Sequence, residues 1–236
     1  MPDVSFGVFV PQGWKMDLAG IPDPAAKWAH AVDTARRAER LGYDSVWVYD
    51  HVHYIPKPAH EAVFGCWTTM AAISQRTERV RLGQMVTCAA YRNPAYLAKV
   101  WIGGGGEQLT LRVVARHADV SNFGGKPHEW ARKREILKEH CRAVGRDEET
   151  IRKTWSPEVL VRETEAELVA GGSRSVWGEP FESWREGNLV GTPDQVAEKI
   201  RRYVDLGCSG FVPWCADHPE TETLELLAEK VIPEFR

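Results

Sequence analysis

Three side chains able to exchange protons or bind metal follow one apolar run. Tyr49-Asp50-His51-Val52-His53 comes directly after Ser45-Val-Trp-Val48. Buried parallel strands read as continuous apolar runs, and (β/α) barrels place catalytic groups at the carboxyl ends of such strands. An imidazole at that place, His51, is suited to proton transfer near neutral pH, with Asp50 fixing its tautomer. The bland alternative is a histidine on a surface loop. The His51-x-His53 spacing also suits zinc in a barrel hydrolase. That reading ranks lower, because the strand ends at Asp50 and the next candidate ligand, His218, lies four residues past Trp214.

A second chemistry is anion binding. Gly103, Gly104, Gly105 and Gly106 follow an apolar strand start and precede a helical segment at Glu107. Consecutive glycines let backbone N–H groups converge on an anion, and a helix N-terminus adds partial positive charge. The turn lacks the Gly-Lys-Ser/Thr ending of a P-loop. Gly124-Gly125 forms a similar turn after the next strand. Either turn alone is equally a plain connection; together they point to a phosphate-bearing ligand at the carboxyl ends of neighbouring strands. Arg92, beside Asn93-Pro94, reads as a surface arginine at a helix cap.

These groups need a scaffold, and the chain supplies a repeating one. Strands are expected at residues 4–10, 45–50, 81–88, 101–103, 120–123, 153–162 and 211–214. Helices are expected at 24–41, 67–75, 95–100, 107–117, 127–144, 193–206 and 223–235. Asp23-Pro24 and Thr192-Pro193-Asp194-Gln195 carry helix-start signals. Leu41-Gly42 and Leu206-Gly207 share one hand-off, in which a helix stops and a buried strand begins two residues later. Alternation of this kind predicts an α/β fold with a parallel sheet, of the TIM-barrel type. Residues 170–191 read as a long Gly-rich loop, with Trp177 and Trp184 either covering an apolar substrate or packing under the barrel.

Composition narrows the classes further. The 236 residues carry 30 Lys plus Arg against 33 Asp plus Glu, a net charge of −3 that offers no basic field for nucleic acid. No run approaches the roughly 18 apolar residues of a membrane span. The start has no basic and apolar leader pattern. The five cysteines are widely spaced and lack C-x-x-C, so small core residues in a cytoplasmic protein are the expectation.

In order along nearly the whole chain, the sequence resembles the luciferase-like oxidoreductases, especially the branch that uses the deazaflavin coenzyme F420. The segments that carry this are Phe6-Gly-Val-Phe-Val-Pro-Gln12, Ala38-Glu-Arg-Leu-Gly-Tyr-Asp-Ser-Val-Trp-Val-Tyr-Asp-His51 and Glu78-Arg-Val-Arg-Leu-Gly-Gln-Met-Val-Thr87 with Arg92-Asn-Pro94. Trp101-Ile-Gly-Gly-Gly-Gly-Glu107 and Gly191-Thr-Pro-Asp-Gln195 complete the set. The resemblance implies an eight-stranded (β/α) barrel with coenzyme F420, or alternatively FMN, at the carboxyl ends of the strands. It implies that Asp50 and His51 flank the reactive ring and that Met85-Val86 is a non-prolyl cis peptide backing it. Gly103 to Gly106 with Thr110 would hold the cofactor phosphate, with Gly124 and Gly125 beside it. Members transfer a hydride to or from a small organic substrate, or use reduced flavin with oxygen for monooxygenation.

One departure is large. The helix from Ala95 runs into the strand at Trp101 with no stop signal and no loop, where the family has its fourth βα unit and an insertion. A unit needs roughly 30 residues. The expectation is a single barrel domain over residues 1–236 that lacks this unit at the Val100–Trp101 junction, by deletion or by omission. The alternatives to an oxidoreductase are a metal-dependent barrel hydrolase and a non-catalytic truncated relative. Small-molecule substrates are the expected partners, with a homodimer as an option.

Overall fold

The computed structural model describes residues 4–57, 61–87, 102–103, 106–172 and 175–236. Strand and helix alternate through β1 (Ser5–Phe9), α1 (Pro24–Arg40), β2 (Ser45–Val48), α2 (Cys66–Ser74), β3 (Arg81–Gln84), β4 (Ile102–Gly103), α3 (Thr110–His117), β5 (Val120–Asn122) and α4 (Pro127–Ala143). The order continues with β6 (Arg152–Trp155), β7 (Glu158–Val161), α5 (Glu165–Ala170), α6 (Phe181–Gly187), β8 (Leu189–Gly191), α7 (Pro193–Asp205), β9 (Gly210–Phe211), β10 (Trp214–Cys215) and α8 (Glu222–Leu226). Every strand pairing is parallel.

The large sheet has the order β3-β2-β1-β9-β6-β5-β4, and a small one has the order β10-β7-β8. The single strands expected at 153–162 and 211–214 are therefore each two strands. Ser156-Pro157 parts β6 from β7, and Val212-Pro213 parts β9 from β10. Proline has no N–H to give to a ladder, so at both points the chain steps from the large sheet onto the small one. The large sheet offers seven positions among the described residues, and its outer strands are β3 and β4. The helix expected at 95–100 and the Val100–Trp101 junction lie outside those residues.

Side chains sort by the twofold period of the strands. Phe6, Val8 and Val10 of the first strand, with Val46 and Val48 of the second, join the core that packs against Ala31, Ala35 and Ala38 of α1. The alternate residues Phe9, Trp47 and Tyr49 join Leu160, Trp184 and Trp214 in a second, aromatic core. Trp47 takes this place because its flanking strands carry glycine beside it. A Cβ on Gly7 would lie 2.5 Å from its indole nitrogen, and one on Gly83 would lie 2.4 Å from its ring.

Helix starts follow their signals. The Asp23 carboxylate accepts the Ala26 N–H at 2.7 Å, and the Thr192 N–H donates to Gln195 Oε1 at 3.0 Å. At the two Leu-Gly hand-offs, Gly42 and Gly207 adopt φ of 85° and 94°, the left-handed region that glycine enters freely. The loop expected over 170–191 is instead ordered into α6 and β8. Trp184 anchors it, being buried with its indole N–H donated to Glu158 at 2.6 Å. The final helix stops early, at Leu226, and passes through a wider turn at 227–231 into a 3-10 turn holding Pro233.

Replacing Gly83 with Ala forces a methyl group into the Trp47 ring. Overpacking of this kind costs about 1–3 kcal/mol, so the urea midpoint falls while the slope of the transition stays unchanged. An unaltered midpoint would show that the indole has room to move.

Candidate functional site

Parallel pairing carries the carboxyl ends of neighbouring strands to one face. Past the regular ladder, the Val10 N–H donates to Trp47 O at 2.9 Å, the Met85 N–H to Val48 O at 3.0 Å and the Asp50 N–H to Val86 O at 3.3 Å. Gln12 clamps the same region. Its amide oxygen accepts the Tyr49 N–H, and its amide nitrogen donates to Phe64 O at 3.0 Å.

A cavity of about 340 Å³ opens on this face. Phe9, Trp14 and Lys15 line it from the end of β1, Tyr49 and His51 from β2, and Met85 and Val86 from β3. Asn122 enters from β5, Ser156 and Pro157 from the break after β6, and Trp214 from β10; Trp177 closes one side. The Met85–Val86 peptide bond is cis, as the resemblance implies. Ser156 Oγ lies 3.1 Å from Met85 Sδ and 3.3 Å from Asn122 Oδ1, which ties the polar row of the cavity to its sulfur-bearing wall.

The pair Asp50-His51 divides at the cavity wall. The His51 ring faces the cavity and stacks on Trp14, with centroids 3.9 Å apart and planes at 26°. Burial is the main cause that holds its imidazole below the ordinary histidine pKa; His53 adds to this and Asp50 opposes it. Asp50 is buried behind the wall, where its carboxylate accepts the Cys66 thiol at 2.9 Å at the start of α2. His53 is exposed. Among the described residues, no group of three or more His, Cys, Asp or Glu side chains comes together to hold a metal ion.

The cavity also contains groups that the motifs did not reveal. Lys15 Nζ sits 3.5 Å from the buried carboxylate of Glu158 and 4.3 Å from the centre of the Trp214 ring. Burial lowers the Lys15 pKa, and Glu158 acts against the shift. Deeper in, buried Asp17 accepts the Gly13 N–H at 2.6 Å and the Trp214 indole N–H at 3.4 Å. Burial raises its carboxyl pKa and lowers that of the His218 imidazole. Among the described residues the Tyr49 hydroxyl is buried without a hydrogen-bond partner, and the buried His218 ring lies against the Phe9 backbone. Trp14 and Lys15 carry no motif in the sequence, whereas Trp214 closes the last apolar run and a list of strand ends would have found it. Of the two tryptophans in 170–191, Trp177 faces the cavity and Trp184 packs in the core.

Among the described residues of the two glycine turns, Gly106, Gly124 and Gly125 do not line the cavity. Gly103 lies in β4, and Gly104 and Gly105 fall outside the described residues. Gly106 packs against Thr110, where a Cβ would lie 2.7 Å from the hydroxyl at the start of α3. At the second turn, the carbonyls of Gly124 and Gly125 accept from Lys133 Nζ at 2.5 Å and from the Tyr203 hydroxyl at 2.8 Å. Glu129 takes the Lys126 N–H at 2.8 Å, so part of the amide field of α4 is already spent on its own carboxylate.

Comparison with known proteins agrees with this picture. Residues 4–100 match the family model for luciferase-like monooxygenases. An F420-dependent glucose-6-phosphate dehydrogenase of Amycolatopsis mediterranei is 41% identical over 73 residues, which is 30% of this chain and 21% of that relative. The counterpart of Intrasporangium calvum is 42% identical over 71 residues, again 30% of this chain and 21% of the relative. These alignments span about a fifth of the curated relatives. Among solved structures, an F420-dependent secondary alcohol dehydrogenase bound to an F420–acetone adduct superposes with a TM-score of 0.75 at 14% identity, over 99% of both chains. The FMN-bound oxygenating constituent of 3,6-diketocamphane monooxygenase from Pseudomonas putida gives 0.72 at 14% identity, over 99% of this chain and 98% of that one. The fold is the α/β barrel-type fold of these enzymes. Over residues 4–100 the chain is similar to the luciferase-like monooxygenases, and F420-dependent proteins are among its similar sequences.

An imidazole stacked on an indole and partly withdrawn from water titrates low. The ring resonances of His51 should therefore report a midpoint below the ordinary value of about 6.5. Replacing Trp14 with Ala should move that midpoint back toward 6.5. A midpoint at or above 6.5 in the native chain would contradict the placement of His51.

Proposed function

We propose that the chain, as a single barrel-type domain, is an oxidoreductase that uses coenzyme F420, with FMN as the second choice. It moves a hydride between the cofactor ring and a small organic substrate. The carrying observation is the juxtaposition of the Met85–Val86 peptide with His51 across one cavity at the strand ends. The family match over residues 4–100 supports it, and the F420-dependent relatives favour F420 over FMN. Neighbouring proteins bind F420 or FMN, which leaves both on the list.

The residues present fit a flat ring. Met85 and Val86 give an apolar wall, Asn122 and Ser156 give a polar edge, and the aromatic side chains exclude water from the space between. When bound, the cofactor supplies a ring atom that accepts or releases hydride. Gly106 and the Thr110 hydroxyl stand at the start of α3, whose partial positive charge would favour a phosphate, although the Leu111 N–H there already donates to Gly106 O at 3.0 Å. His51 handles the proton. For an alcohol substrate, the carbon gives up hydride and the hydroxyl gives its proton to the neutral imidazole; reduction of the ketone runs in reverse. The low pKa keeps the imidazole neutral at pH 7, which suits proton acceptance. Among the described residues no helix is long and apolar enough to cross a membrane, and we assign the protein to the cytoplasm on this reading.

Titration with F420 and with FMN, oxidised and reduced, tests the assignment. Saturable binding at micromolar concentration is expected, tighter for F420; the absence of both would end the proposal. His51→Ala should lower turnover by roughly 10²–10⁴-fold while cofactor affinity changes little. Equal turnover in the variant would remove His51 from the reaction. The activity that remains in the native chain should fall as pH drops through the lowered His51 pKa.

A further inference from the structure

Four rings form a continuous wall at the mouth. Phe9 stacks on Tyr49 at 4.3 Å and 5°, Tyr49 meets Trp14 at 4.6 Å, and Trp14 stacks on His51 at 3.9 Å. Trp214 stands apart from this wall, and Lys15 lies between the two, with Nζ 5.6 Å from the Trp14 ring and 4.3 Å from the Trp214 ring. Such a slot takes a body that presents flat or apolar faces.

The charge in the slot is already balanced. Glu158 stands 3.5 Å from Lys15 Nζ and is itself fixed by the Trp184 indole at 2.6 Å. No arginine and no second lysine lines the cavity among the described residues. A phosphate brought to Lys15 would therefore also meet the Glu158 carboxylate and would lose its water among aromatic rings. An uncharged carbonyl or hydroxyl oxygen instead accepts one of the three Lys15 N–H bonds and leaves the ion pair in place. The cavity of about 340 Å³ would have to hold both the cofactor ring and the substrate, so the body beside the ring is compact.

We infer that this cavity selects a compact, uncharged, ring-bearing alcohol or ketone, and that the Lys15–Glu158 pair is its specificity device, holding the substrate oxygen and rejecting anions. The inference rests on the oxidoreductase reading for the reaction, while the recognition itself is a property of this chain's own side chains. It separates the chain from sugar-phosphate chemistry, the activity carried in the name of the relatives it matches.

The test is calorimetry on the full chain, with and without bound F420, using cyclohexanone, cyclohexanol and glucose 6-phosphate as probes. Cyclohexanone and cyclohexanol should bind at least about tenfold more tightly than glucose 6-phosphate, the worth of one or two buried methylenes. Lys15→Met should weaken the ketone by about tenfold through loss of the donor, and Lys15→Arg should restore part of it. Glu158→Gln should leave the lysine charge uncompensated and raise glucose 6-phosphate affinity several-fold at low salt. If that variant fails to fold, the native comparison and the Lys15 pair decide. Glucose 6-phosphate binding as tight as the ketone in the native chain overturns the inference, as does an absence of ketone binding in both cofactor states. Cofactor binding without ketone preference would sink only the inference. Ketone preference without cofactor binding would sink only the oxidoreductase reading.

Discussion

The register of three parallel strands around one tryptophan governs the site. β1, β2 and β3 are paired so that Phe9 stands level with Trp47 and Trp47 level with Gly83. With Gly7 and Gly83 on either side, β2 has the room to send the Trp47 indole into the aromatic core. A slip by one residue would exchange every inward side chain for an outward one. Trp47 and Tyr49 would then compete with Val46 and Val48 for the packing against α1. The twofold alternation runs on past the end of β2. It puts Tyr49 and His51 on the cavity and leaves Asp50 behind the wall with Cys66. Two adjacent titratable residues thus acquire different surroundings from backbone geometry alone.

Beyond the register, the mouth of the fold is a place where charge is cancelled. Lys15 pairs with Glu158, and Arg162 pairs with the fully buried Asp217 at 3.0 Å while the Thr223 N–H donates to the same carboxylate oxygen at 3.0 Å. Burial moves Asp17 and His218 each toward its neutral form, and their mutual attraction opposes the shift. A ring placed between Met85–Val86 and the aromatic wall therefore sits in a weak field, with polarity supplied at a few points. That arrangement suits hydride transfer, in which water and stray charge near the reacting carbon must be excluded.

Much of this was legible in the residues. Apolar runs gave the first two strands, Leu-Gly gave two helix ends with their positive φ, and the position of His51 after an apolar run gave its place on the cavity. What could not be read depends on tertiary contacts. Lys15 and Trp14 follow a proline, a glutamine and a glycine and carry no motif; they join the site because Gln12 folds back onto Tyr49. Pro157 and Pro213 sit inside apolar runs, and only the pairing partners show that each moves its strand to a second sheet. The segment 170–191 reads as loop by composition, but the Trp184–Glu158 hydrogen bond orders it. The amides after Gly125 look free in the sequence, and Glu129 takes one of them in the fold.

The strand order also divides the site by its dependence on the rest of the sheet. Phe9, Trp14, Lys15, Tyr49, His51, Ser156 and Pro157 come from or just past β1, β2 and β6, inner strands of the large sheet, while Trp214 lies on β10, an outer strand of the small sheet among the described residues. Gly103, Gly106 and Thr110 belong to the β4–α3 connection, at one outer end of the order, and β3 stands at the other. An edge strand is held on one side only, so groups at these ends are positioned less firmly than groups borne by central strands. Loss of a βα unit between β3 and β4 would accordingly act first on the grip on a cofactor phosphate. The aromatic wall of Phe9, Tyr49, Trp14 and His51, carried at the ends of the inner strands β1 and β2, would keep its geometry. On the proposed reading, substrate recognition and cofactor anchoring would then be separable, because they draw on different parts of the fold.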